Sequence, residues 1–479
     1  MNPIKIIIIT ILLLLLLTLS TEYYGHIDIG DYSDVAKFFS GDLQAKLRTS
    51  HSVLYGLMHA PFVKLTSSFL FMKLSSVLWL SLIIISVYYI SKKNKKTLLL
   101  ITTAPIIWYM APWINPIQLS SLLFLWAYYF IKKFEEDENW RYLAYSGLLA
   151  GLSSIFWESA LYFAVILVLI FLYNKKTHNF LLFFIAIFIG MLPKLITDYI
   201  LFGSPFYSIL KHIFAEVAFV FFSGIYGQTV YYASFIYSFF TIILILPFFS
   251  YLLFTKNFFS ENKKTAIFLV FIFILILINA QIRALLMIVP IIILILGEIL
   301  TEKQYRIQIV VFLILTLLVI NPYIIQAKYE TNGKEFESFL VNLPNLELSS
   351  TSYNSILQED LNAITTEFPN QTFIVGNSPD DYQTLAHVYW GEDIEEFVSI
   401  QDYQLFLKNK TTIAEKTICS SSKTWNRRDI CITISLEKTF NDQTDYEDIE
   451  YAISLDENLD LDNFKLAKTY KILSVFEKK

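Results

Sequence analysis

The sequence predicts a polytopic α-helical membrane protein with a soluble mixed α/β domain at its C-terminus, and three observations carry that class. Of 479 residues, 55% are hydrophobic and only 16% charged, a balance far more apolar than that of soluble chains. Apolar runs able to enter a bilayer recur throughout positions 1–325. From Gln326 to Lys479 the composition turns polar and acidic for about 150 residues, the size of one ordinary domain. The net charge of -5 averages basic short loops against that acidic tail, and no basic patch marks a nucleic-acid surface.

The first run, Ile4 to Ser20 with Lys5 near its start, reads as an anchor, because the residues after it lack the small-residue cleavage pattern of a signal peptide. Further runs follow at Phe69–Ile90, Leu98–Ile114, Ile117–Ile131, Tyr142–Phe156, Ala160–Tyr173 and Phe180–Ile196, then at Val230–Phe254, Ala266–Ile278, Ala284–Leu300 and Ile307–Ile325. These make about eleven candidate spans. Alternate connections sort by charge. Ser91 to Lys96, Lys132-Lys133, Asn174 to Lys176, Lys256 to Lys264 and Glu302 to Arg306 share one side, and their lysines mark it as cytosolic. The opposite side receives the loop at 21–68, the Pro112–Pro116 turn, the Trp157-Glu158 turn, the Thr197–Thr229 connection and Asn279 to Arg283. An odd number of spans places the tail outside the cytosol as well, with the cell (cytoplasmic) membrane as the expected location.

The tail agrees with that placement. Phe373 to Gly376 reads as a buried strand and turn, Asp380 to Tyr389 as a helix, and Ile430 to Leu436 as a second strand. Cys419 and Cys431, the two cysteines of the chain, flank what reads as a hairpin loop. Outside the cytosol they are expected to form a disulfide, worth roughly 2–3 kcal/mol across so short a loop. The triplets Asn370-Gln371-Thr372 and Asn409-Lys410-Thr411 are glycosylation-type motifs that also suit an external domain. No repeat of 20 to 50 residues and no pair of interrupted helices is visible in the sequence.

The most polar stretch before the tail runs from Asp28 to Pro61. Asp28, Asp31 and Asp34 recur at a spacing of three, and Lys46, Arg48, His51 and His59 follow. Tyr32 to Ser40 reads as a helix ended by Gly41, with Asp31 as its N-cap and Asp34 in its first turn, a purely structural account of those two acids. Asp28 is not needed by that cap. A carboxylate at a membrane surface can act as general base toward a hydroxyl, and a pair such as Asp28 and Asp31 can instead hold a divalent metal. Arg48, His51 and His59 suit a lipid phosphate, Arg through its bidentate fork. Lys64 and Lys73 read as charges that snorkel toward headgroups. Arg283, Glu158 and Lys194, ranked in that order, are further ionisable candidates at outer span ends, with Asp198 beside them. His212 and Glu216 share one face of an aromatic segment that reads as an interfacial helix.

Taken together, these features resemble the GT-C superfamily of integral-membrane glycosyltransferases, in particular its protein O-mannosyltransferase and aminoarabinose-transferase branches. Asp28, Tyr32, Ala36 and Lys37 fall at the spacings of that family's first-loop motif, and Gly41-Asp42 follows as its Gly-Asp does. Ile29 stands where the acidic partner belongs, so the matching carboxylate is Asp28 or Asp31. Ser52 to Pro61 is similar to the family's aromatic and proline segment, Gly147 to Phe163 has its look, and Gln281 to Pro290 is similar to its late Arg-to-Pro stretch. The Trp-Trp-Asp motif of the oligosaccharyltransferase branch has only a faint echo in Tyr389 to Asp393. The resemblance implies an inverting transferase moving sugar from a polyprenyl-phosphate donor to a hydroxyl on a glycan, lipid or protein acceptor. Asp28 or Asp31 would be the base. Tyr32, Asp34, Arg48, His51, His59, Glu158 and Arg283 would hold substrate. No cofactor beyond a divalent metal is expected. The rival readings are a lipid-linked sugar flippase and a non-catalytic membrane subunit whose outer domain binds a partner.

The external disulfide is open to a direct check: maleimide labelling of the denatured, unreduced chain will find no free thiol and, after reduction, both Cys419 and Cys431. Two labelled cysteines before reduction would remove the bond.

Overall fold

The computed structural model describes residues 2–20, 29–41, 53–63, 68–173, 175–210, 212–213, 263–278, 282–329, 355–369, 371–376, 397–407, 412–414, 436–438, 446–455, 457, 459 and 461–479. In chain order its helices are α1 (Pro3–Ser20), α2 (Ile29–Ser40), α3 (Val53–Val63), α4 (Ser68–Ile90), α5 (Lys95–Thr103), α6 (Pro105–Tyr109), α7 (Ile117–Asp137), α8 (Trp140–Phe156), α9 (Ala160–Phe171) and α10 (Thr177–Phe202). After a stretch outside the described residues, which includes the expected span Val230–Phe254, come α11 (Lys263–Ile278), a 3-10 helix (Ile282–Met287), α12 (Val289–Ile299) and α13 (Glu302–Tyr329).

Among the described residues four helical segments, Pro3–Ser20, Leu70–Ile90, Thr177–Phe202 and Glu302–Ile320, are long and apolar enough to cross a bilayer. Their outward faces stay greasy: Leu12 and Leu16 on α1, Phe188 and Ile200 on α10, and Leu317 on α13 are exposed. Apolar faces on this scale suit a hydrocarbon surrounding. Of the about eleven candidate spans expected from the sequence, several of them short, the described residues show four helices of spanning length beside shorter apolar ones. α9 has 12 residues and α12 has 11, so each rises less than about 20 Å against a hydrocarbon core of roughly 30 Å.

Two expected spans are interrupted. Leu98–Ile114 breaks at Ala104, which is extended (φ −66°, ψ 124°) because the following Pro105 disfavours helical backbone there. The carbonyls released by the break find donors: Trp108 Nε1 donates to the Thr102 carbonyl at 2.8 Å and Thr316 Oγ1 to that of Thr103 at 2.9 Å. Ala284–Leu300 likewise divides into the 3-10 helix and α12, with Pro290 in the first turn of α12. α5 lies against α12 and α6 against the 3-10 helix. Asn94, the N-cap of α5, donates through Nδ2 to the Gly297 carbonyl near the end of α12, so the two broken segments run antiparallel. This corrects the expectation of uninterrupted spans.

The lysine-rich connections do gather at one end. Lys96 pairs with Glu302, Glu135 bridges Lys132 and Lys264 at 2.9 and 2.8 Å, and Lys175 pairs with Glu138. The hydrogen bond from Lys175 holds the Glu138 carboxyl below its ordinary value.

α8 and α10 cross with backbone close to backbone. Gly147 and Gly151, four residues apart, meet α10 at Phe183 and at Gly190: a Cβ on Gly147 would stand 2.6 Å from the Phe183 carbonyl oxygen, one on Gly151 2.2 Å from that of Ile187, and one on Gly190 2.3 Å from that of Leu148. Small residues at this spacing let two membrane helices touch backbone to backbone. In the tail, β1 (Phe373–Val375) pairs in parallel with β2 (Phe397–Ser399) and β5 (Tyr451–Ser454); β7 (Ser474–Lys478) is antiparallel to β5 and to β6 (Phe464–Thr469), and the order is β2-β1-β5-β7-β6. A separate pair joins β3 (Thr412–Ala414) to β4 (Leu436–Lys438). The expected strand at Phe373 is β1, and Gly376 ends it at φ 71°. The expected helix at Asp380–Tyr389 and most of the strand at Ile430–Leu436 fall outside the described residues.

Gly151→Leu and Gly190→Leu will each lower the thermal stability of the detergent-solubilised chain by about 1–3 kcal/mol through overpacking, whereas Leu317→Val on the outer face stays within about 0.5 kcal/mol. Unchanged melting in both glycine variants would contradict the close crossing.

Candidate functional site

The acidic stretch is built onto the end of the bundle opposite the lysines. α2 spans Ile29–Ser40 and stops at Gly41, whose φ of 112° is left-handed and whose N–H donates to the Phe38 carbonyl. The expected stop is therefore correct, but the helix begins two residues before Asp31. Asp31 is thus inside the first turn and not its N-cap. One apolar set, Tyr32, Ala36, Tyr55, Met72 and Ile114, joins α2 to α3, to α4 and to the turn after α6, with Phe156 at the end of α8 packed against it. A second set, Val35, Phe38, Val53, Phe202 and Tyr207, joins α2 to the end of α10 and the residues after it. Gly56 makes the crossing possible, since a Cβ there would lie 2.5 Å from Val35 Cβ. Tyr32 meets Tyr55 edge-on at 5.1 Å.

Beside α2 lies a buried charged network. Glu158, in the turn between α8 and α9, accepts a hydrogen bond from Lys194 Nζ on α10 at 2.8 Å, with side-chain exposures of 8% and 2%. One turn further along α10, Asp198 shares the electrostatic field of Lys194. Its Oδ2 accepts from the Ser208 N–H at 3.1 Å and from the Ser208 hydroxyl, and its Oδ1 is buried with no partner among the described residues. Ser159 Oγ lies 3.2 Å from His212 Nε2, and the His212 imidazole also acts electrostatically on Glu158. Charges removed from water to this degree persist only when paired and hydrogen-bonded, so the network is a fixed frame.

Other predicted residues distribute unevenly. Asp28, Arg48, His51, Lys64, Glu216, Cys419 and Cys431 lie outside the described residues, and for Asp31 and Asp34 only their place on α2 is described. His59 is buried, its Nδ1–H donating to the Tyr55 carbonyl at 2.7 Å and its Nε2 2.8 Å from Ser75 Oγ, which assigns it to the packing of α3 on α4. Burial holds the imidazole below its ordinary value, which favours the neutral ring over a cation for phosphate. Lys73 does not snorkel: it is buried and donates to the Thr18 carbonyl, an end group of α1 that lacks a helical partner. Arg283 is buried at the start of the 3-10 helix, which lies against α7. Thr197 and Asp198 belong to α10 and not to an outer connection, because the helix runs on to Phe202 and ends at the left-handed Gly203. His212 lies in helical backbone and meets Ser159, while most of the segment expected as an interfacial helix, Glu216 included, lies outside the described residues.

Sequence reading ranked Glu158 and Lys194 separately and missed that they are partners. The signals that point to the network are Gly147 and Gly151 at a spacing of four and Lys194 with Asp198 at i and i+4. Comparison with protein-family models and with curated proteins finds no match to this chain.

Removing one member of the buried pair, by Glu158→Leu or Lys194→Met, will cost about 3–5 kcal/mol, while the double variant will recover most of it. A thermal-melting cycle in detergent measures this, and additive single costs would show that the two charges do not act as a pair.

Proposed function

We propose that this chain is a glycosyltransferase of the GT-C kind, taking sugar from a polyprenyl-phosphate donor at the outer leaflet and placing it on a hydroxyl acceptor. The observation that carries the reading is the position of α2: the helix with Asp31 and Asp34 is held at one end of the bundle, against Ile114, Phe156, Phe202 and Tyr207, beside the Glu158–Lys194 network. A general base needs this kind of rigid support, since misplacement by about 1 Å costs roughly a hundredfold in rate.

In this reading the carboxylate of Asp28 or Asp31 takes the proton of the acceptor hydroxyl as that oxygen attacks the anomeric carbon. The bond to the phosphate oxygen breaks on the opposite face, which gives inversion, and the electron pair leaves with the polyprenyl phosphate. Arg48, His51 and Arg283 meet the charge that develops on the phosphate, where a fixed cation is worth most in a water-poor site. A divalent metal on Asp28 and Asp31 would supply the same charge. The lysine-rich end faces the cytosol, and the site and the tail domain face away from it.

A lipid-linked sugar transporter is the second reading, favoured by the paired interruptions at Ala104 and Ile288. Against it, the buried hydroxyls of Ser120 and Ser153 on α7 and α8 bond to each other at 2.7 Å and Ser146 donates to the Ala127 carbonyl, so they act as helix glue and line no path.

Transfer of labelled sugar from polyprenyl-phosphate donors, in membranes matched for expression, decides between the readings. Asp28→Asn or Asp31→Asn, whichever is the base, will lower the rate at least about a hundredfold, the scale of lost general-base catalysis. Full activity in both variants would reject the assignment, and lipid-linked sugar crossing the membrane without transfer would favour the transporter.

A further inference from the structure

Two ties fasten the residues after α10 to the bundle, and the residue just before the first of them packs in one cluster with α2. The N–H and hydroxyl of Ser208 both donate to Asp198, and His212 meets Ser159. Tyr207, the neighbour of Ser208, stacks on Phe202 at 4.7 Å and packs with Val35 and Phe38 of α2. Asp198 is held in turn by the field of Lys194, which is fixed by Glu158. The line from the α8–α9 turn to the acid-bearing helix passes through the Glu158–Lys194 pair, the charge of Lys194 acting on Asp198, the Asp198–Ser208 hydrogen bonds, and the apolar cluster that Tyr207 shares with Val35.

We infer that Asp198 is a positioning residue which, through Ser208 and Tyr207, sets the place of α2 and with it the carboxylates that α2 carries. A carboxylate taking two hydrogen bonds from one residue fixes both its position and its orientation, which a single neutral bond does not. The neighbouring tyrosine then has one place to stack, and α2 packs against that place. The consequence for transfer rests on the reading of the α2 stretch as the source of the base; the effect on the position of α2 does not.

The test uses the full-length chain in detergent with Cys419→Ser and Cys431→Ser, so that an added cysteine is the only thiol. Val35→Cys reports the packed face of α2, and Leu143→Cys, fully buried in α8, reports the bundle. In the parent both label slowly with a soluble maleimide. Asp198→Ala will speed labelling at Val35→Cys about tenfold, the scale of one lost charge-assisted hydrogen bond, and leave Leu143→Cys protected. Asp198→Asn keeps an acceptor for Ser208 and will change the rate less than about threefold. No acceleration at Val35→Cys in Asp198→Ala overturns the proposal. Should Asp198→Ala expose Leu143→Cys too, Ser208→Ala decides: acceleration at Val35→Cys with Leu143→Cys protected supports the role, and its absence overturns it. Sugar transfer run on the same variants separates the two levels. Transfer missing from the unaltered chain rejects the enzyme reading, while the labelling result still judges the position of α2.

Discussion

The backbone contact of α8 with α10 is the constraint on which the rest depends. Gly147, Gly151 and Gly190 remove the side chains that would hold the two helices apart, and the axes close until carbonyl oxygens face bare Cα atoms. At that separation the turn after α8 brings Glu158 to Lys194, and a 2.8 Å ion pair forms where water does not reach. A wider crossing would leave both charges buried and unpaired, the most costly arrangement available to them. Packing without side chains thus creates the place in which charge can be buried, and the charge in turn fixes the register of the packing.

A second constraint is the satisfaction of backbone groups away from water. Every break in a helix releases carbonyls and amides, and in a bilayer these need partners within the protein. At Ala104 the indole of Trp108 and the hydroxyl of Thr316 supply them, and at the end of α1 the ammonium of Lys73 does so for Thr18. Irregular backbone here is bound as firmly as helix. Short pieces such as α6 and α12 can therefore sit inside the bundle, α6 against α13 and α12 against α4, α5 and α7.

Much of the architecture is legible in the residues themselves. Alternating loops sorted by lysine content predict the end at which Lys96, Glu135, Lys175 and Lys264 gather, because ion pairing and the avoidance of hydrocarbon act on the same residues that the positive-inside tendency counts. Gly41 predicts the end of α2 because its left-handed backbone strongly favours glycine. Other features are not local and so leave weak marks. Glu158 and Lys194 stand 36 positions apart, and nothing in either segment names the other. Asp31 reads as a cap because acids before an apolar run commonly are, yet the apolar contacts of Tyr32 and Val35 accompany a helix that starts earlier. The interruption at Ala104 was signalled only by Pro105, and hydropathy averaged over a window conceals a single extended residue.

The antiparallel packing of the two broken segments bears on how the chain is assembled during synthesis. Asn94 and Thr103 belong to the first quarter of the sequence, whereas their partners Gly297 and Thr316 lie 203 and 213 residues further on. α5 and α6 are too short to settle in lipid alone, and the Gly297 carbonyl and Thr316 hydroxyl that complete them are made about 200 residues later. These two bonds of the early segment thus form only after most of the bundle has been made. Its early helices depend on later neighbours, or on an insertion factor that shelters polar backbone, until α12 and α13 arrive to close the fold.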